Sequence, residues 1–130
     1  MVEKIIHNEI LIAIIIRADY SREGIEFFTP PEFSQQLGYM KRPQGYQIKP
    51  HTHQIRARAE TLPQEVLYIK SGRINIDFYD TDLKFLESKI VTKGDVVLLA
   101  SGGHGFEMLE ISEIIEMKQG PYYSDQDKKV

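Results

Sequence analysis

The residues that could do chemistry in this chain sit in two short stretches. In Gly45 to Gly72, GYQIKPHTHQIRARAETLPQEVLYIKSG, a His-x-His pair, His51 and His53, precedes Glu65, which opens an apolar strand-like run. In the second stretch, His104 follows a glycine pair in GGHGF. Side chains two apart on a strand share a face and sit roughly 6.5–7 Å apart at the backbone. Both imidazoles of the pair can therefore turn toward one metal ion, each giving a nitrogen at about 2.0–2.1 Å. Glu65 adds a hard anionic oxygen from the next strand, and His104 a third imidazole. Such a shell leaves open positions on a six-coordinate metal, which catalysis needs and a closed structural site lacks. Glu60 stands in the same loop and competes with Glu65 for the carboxylate role. Of the four histidines, three fall in this arrangement, and His7 reads as a turn residue. The alternative is an unrelated scatter of polar residues on a sheet, and the joint pattern argues against it.

The elements that must position these groups are short strands. Ile5-Ile6 and Ile10 to Ile16 predict strands around a turn at His7-Asn8. An isoleucine run of that kind needs cover on both faces, from its own barrel or from a partner subunit, so a homodimer is expected. Ile25 to Phe28 reads as a short strand, and Thr29-Pro30-Pro31-Glu32 as the start of one short helix that Gly38 ends. Tyr46 to His53 is extended. Strands follow at Val66 to Lys70, Ile74 to Tyr79, Leu83 to Val91, Val96 to Leu99, Phe106 to Leu109 and Glu113 to Lys118, separated by turns such as Ser71-Gly72 and Lys93-Gly94-Asp95. Many short strands at close spacing argue an all-β sandwich or barrel. No repeat or linker interrupts them, so residues 1–130 read as one domain, with a polar tail over Ser124 to Val130 that is expected to fray.

The arrangement resembles the cupin superfamily. That family's first motif runs Gly, five residues, His-x-His, a gap, Glu, six residues, Gly. Here Gly45 is followed by five residues to His51, and Glu65 by six residues to Gly72, so the motif occupies about 45–72. The second motif, about 94–108, is opened by Gly94-Asp95 and continues through Ala100-Ser101-Gly102-Gly103-His104. This chain departs from the pattern in placing eleven residues between His53 and Glu65, Ala100 in the proline position and Met108 in the asparagine position. The resemblance implies a double-stranded β-helix (jelly-roll) barrel with an N-terminal strand extension. It also implies one divalent ion, of Fe, Mn, Zn or Ni, on His51, His53, Glu65 and His104.

Within the long gap, Arg56 and Arg58 alternate with Ile55, Ala57 and Ala59. They fit either a clamp for a substrate carboxylate or phosphate, or a solvated edge. Phe106 and Met108 share strand parity with His104 and fit either a pocket lining or core. Tyr122 and Tyr123 read as packing residues. Composition narrows the rest. The absence of cysteine removes disulfides and thiolate metal sites. A formal net charge of -3 with no basic run gives no nucleic-acid footprint. Ile10 to Ile16 is too short to span a bilayer, so no membrane partner is expected and a cytoplasmic location is the default. The function these features predict is a small metal-dependent enzyme, of oxygenase or isomerase type, on a small oxygenated or anionic substrate. Two alternatives stand beside it, a metal-independent sugar-nucleotide epimerase or isomerase and a non-catalytic ligand-binding barrel.

Overall fold

The structure, a computed structural model, describes residues 1–51 and 64–119. Among them it contains ten strands and no helix: β1 (Val2–His7), β2 (Ile10–Ile16), β3 (Gly24–Phe27), β4 (Gly38–Lys41), β5 (Glu65–Ser71), β6 (Arg73–Tyr79), β7 (Phe85–Thr92), β8 (Val96–Leu99), β9 (Gly103–Met108) and β10 (Glu113–Lys118). The all-β expectation holds. Among the described residues no helix is long and apolar enough to cross a membrane.

The strands form three antiparallel sheets: a five-stranded sheet ordered β1-β2-β8-β5-β10, a three-stranded sheet ordered β7-β6-β9, and the β3-β4 pair. The two larger sheets pack face to face. Alternation along each strand decides which side chains meet there. Ala13, Ile15, Leu67, Ile69, Val97 and Leu99 from the first sheet bury against Ile74, Ile76, Phe78 and Val91 from the second. The opposite face of the first sheet, with Ile14, Ile16, Val66 and Leu98, lies under Phe28 and Leu37 from the segment carrying β3 and β4. The isoleucine run is therefore covered on both faces by its own chain, and its burial no longer requires a partner subunit.

One long side of the sandwich is stitched together by charge. Arg17, at the end of β2, donates from Nη1 to Asp95 Oδ2 at 3.0 Å and to the Ile90 carbonyl at 2.8 Å, and from Nε to Glu3. Asp95 is buried at 3 % exposure, and its carboxylate also accepts from the amides of Ala18 and Thr92 at 3.0 and 2.8 Å. These contacts tie β1 and β2 to β7 and β8. On the other long side, β9 and β10 are both sheet edges among the described residues, where no ladder joins them. Among the described residues the sheets do not close on themselves.

Two expected elements are replaced. The short helix after Thr29 does not form. Gln36 donates its side-chain amide to the carbonyls of Pro30, Pro31 and Phe33, at 2.9, 3.3 and 3.0 Å, in the role helical backbone amides would fill. Phe28 N to Leu37 O at 2.8 Å then closes the loop, and Gly38, expected to end the helix, begins β4. The extended stretch expected over Tyr46 to His53 forms no strand as far as His51. Tyr46 N instead turns back to Pro43 O at 3.2 Å.

Candidate functional site

Two glycines bring the chemistry-bearing strands to one place. Gly72 alone links β5 to β6, at φ +97°, and a Cβ there would lie 2.1 Å from Ser112 Oγ. The chain folds over from the first sheet to the second within one residue, so the start of β5 lies beside the end of β6. Gly102, at φ +71°, leads into β9, and a Cβ there would meet the Tyr79 carbonyl at 2.3 Å. Only a residue without a side chain tolerates both the dihedral and the approach.

Register then fixes the faces. In an antiparallel pair, residues directly opposite share a face. His104, Phe106 and Met108 on β9 oppose Phe78, Ile76 and Ile74, all fully buried in the core, so these β9 side chains point inward. On β5, Glu65 has the parity of buried Leu67 and Ile69, and its neighbours opposite are Leu99 on β8 and Lys118 on β10. Glu116 opposes Leu67. One end of the inter-sheet space is therefore lined by Glu65, His104, Glu116 and Lys118.

The distances define a polar cluster at this end. His104 Nε2 lies 3.7 Å from Glu65 Oε2, and Lys118 Nζ lies 4.0 Å from Glu65 Oε1 and 3.3 Å from Glu116 Oε1. The His104 ring packs at 5.4 Å from that of Phe106. Burial pushes the His104 imidazole below its ordinary value, against the upward pull of the Glu65 and Glu116 carboxylates. Burial disfavours the charged ring, so its approach to Glu65 is not held together as a strong ion pair. Such a pair can share a cation or pass a proton.

The spacing also tests the metal reading. Ligands bound to one ion at about 2.0–2.2 Å lie about 3.0–3.5 Å from each other. A separation of 3.7 Å needs only a small side-chain adjustment. His51 is exposed and donates from Nδ1 to the Lys49 carbonyl at 2.8 Å. Since a carbonyl only accepts, the neutral ring carries its lone pair on Nε2, the tautomer that backbone-oriented metal ligands use. Among the described residues, however, no three His, Asp or Glu side chains converge as metal ligands. The structure thus brings Glu65 and His104 together and does not bring His51 to them. His53, Arg56, Arg58, Glu60, Tyr122 and Tyr123 lie outside the described residues. Phe106 and Met108 do not serve only as core: among the described residues they are 42 % and 51 % exposed, on edge strand β9.

Three residues near the site were not singled out by sequence. Glu116 and Lys118 were legible in principle, since the alternation Ile114, Glu116, Lys118 marks one face of β10. Gln64 was not. It is 5 % exposed, accepts from Gln35 N at 3.0 Å and Ser34 Oγ at 3.3 Å, and donates to Ala100 O at 3.4 Å. It pins the start of β5, and with it Glu65, to the loop before β4. No family model, curated protein or solved structure matches the chain significantly.

Proposed function

We propose that this protein is a small metal-dependent enzyme of cupin type, built on a jelly-roll-like barrel. The carrying observation is the 3.7 Å approach of His104 Nε2 to Glu65 Oε2, from two different sheets, at one end of the inter-sheet space. Motif spacing adds His51 and His53 as the remaining ligands of one divalent ion of Fe, Mn, Zn or Ni, which requires His51 to move to the Glu65–His104 pair, since the structure does not bring it there. A bound ion would act as a Lewis acid or oxygen-binding centre for a small oxygenated or anionic substrate. Phe106 and Met108 would form the apolar wall of the substrate site, and Glu65 would hold or move a proton at its carboxylate.

Elemental analysis of the purified protein tests this. The reading predicts about one divalent ion per chain, lost in His51→Ala and in His104→Ala. A wild-type protein that binds no divalent ion overturns it.

A second reading is favoured by the burial of His104, which disfavours its charged form. A lone imidazole beside Glu65 is also a general base, as a metal-independent epimerase or isomerase requires. The discriminating result is turnover that persists in a strong chelator. A ligand-binding barrel without turnover is the outcome if substrate-like acids bind and are recovered unchanged.

A further inference from the structure

A second group of charges lies on the face of the first sheet that points away from Glu65 and His104. In β1, Val2 and Lys4 oppose Ile16 and Ile14, which pack under Phe28 and Leu37 rather than in the inter-sheet core. Opposed residues share a face, so Val2 and Lys4 stand on that outer side. The loop after β2 brings Tyr20 and Arg22 to them, and β3 brings Glu26. Together with Phe28 these side chains line a cavity of about 490 Å³, within the roughly 300–1,000 Å³ of small-molecule sites. Contacts within the chain order its walls. The Tyr20 ring is held edge-on by Phe28 and Tyr39, at 5.7 and 5.0 Å between centroids. Its hydroxyl donates to Glu26 Oε1 at 2.6 Å, and Arg22 Nη1 donates to the same oxygen at 2.8 Å. The Tyr20 hydrogen bond holds the Glu26 carboxyl below its ordinary value, so it is an anion at neutral pH.

The charges decide what this cavity takes. Lys4, Arg22 and Glu26 sum to one net positive charge. Arg22 gives Nη1 to Glu26, which leaves the rest of its guanidinium fork to face a ligand. Among the described residues Lys4 has no ion-pair partner, and it acts on Glu26 through its field. We propose that this cavity binds a small monocarboxylate with a ring-sized apolar body. The carboxylate pairs with Lys4 and Arg22 and cancels the net charge, while the body lies against Val2, Phe28 and the Tyr20 ring. A dianionic phosphate would instead reverse the balance to one net negative charge. The site lies on a different face from Glu65 and His104, so it stands apart from the metal-site reading. One exposed ammonium on a carboxylate contributes on the order of a fivefold difference in affinity.

The test is titration of the full chain with benzoate, uncharged benzamide of the same shape, and acetate, followed by backbone amide resonances. The protein is first treated with a chelator that is then dialysed away, which keeps the result independent of any metal at Glu65 and His104. Benzoate is expected to shift the Lys4, Tyr20 and Arg22 resonances. It is also expected to bind more tightly than benzamide, which lacks the charge, and than acetate, which lacks the ring. Lys4→Gln is expected to lose about fivefold in benzoate affinity with benzamide unchanged, and Lys4→Arg to retain it. Lys4 is exposed on edge strand β1, so neither variant removes core packing. No shift at the three residues, no preference for benzoate over benzamide, or a preference that Lys4→Gln retains in full overturns the inference.

Discussion

At the scale of single residues, the site depends on backbone positions as much as on the groups that would do chemistry. His104 is aimed inward because Gly102 takes a left-handed dihedral beneath the Tyr79 carbonyl. Gly102→Ala is expected to destabilise the fold by about 1–3 kcal/mol and to weaken metal binding by displacing the start of β9. Urea unfolding measures the first effect, and an unchanged midpoint would show that the turn accommodates a Cβ. Gln64 acts at the same scale on the other partner. Removing its buried amide leaves the Gln35 amide and the Ala100 carbonyl short of a partner. Gln64→Ala should cost about 1–3 kcal/mol. The glycine pair before His104 and the strand start at Glu65 were legible in the sequence, because glycine and β-pattern are local signals. Gln64 was illegible because its partners are 29 to 36 residues away in the chain.

At the scale of elements, the sandwich is asymmetric. One long side is fastened by Arg17, Glu3 and Asp95, and the other lies between edge strands β9 and β10, beside the site. The hydrogen bond from Arg17 holds the Glu3 carboxyl below its ordinary value of 4.5, against the upward push of partial burial. A carboxyl with a depressed native pKa binds fewer protons folded than unfolded. Its stabilising contribution is therefore present above the unfolded value and is lost as pH falls through the native one. Glu3→Gln is expected to unfold at lower urea than the wild type at pH 7, with the gap narrowing below about pH 4. A gap that stays constant from pH 7 to pH 3 would show that Glu3 contributes through packing alone. Strand positions were mostly legible here, from β-branched alternation and glycine-bearing turns. The failed helix was not, since Gln36 supplies by side chain the bonds that helix signals assign to the backbone. β4 was hidden by the same error, because Gly38 reads as a stop when a helix is expected before it.

At the scale of the molecule, the two-sheet core sets where the site is. Ile76 and Phe78 are fully buried on β6, directly opposite Phe106 and His104 on β9. Ile76→Ala should cost about 2–5 kcal/mol in stability through lost burial and a residual cavity. The face-to-face packing was foreseeable only as a class, since strand order depends on pairings between segments far apart in sequence. The central claim is that His104 and Glu65 share one divalent ion. Titration with Co(II), followed by its visible absorption and by paramagnetic shifts of the His104 ring, addresses it most directly. The account predicts saturation at about one equivalent, shifts at His104, and loss of both signals in Glu65→Ala. A spectrum of hydrated Co(II), with the His104 resonances unmoved, would contradict it.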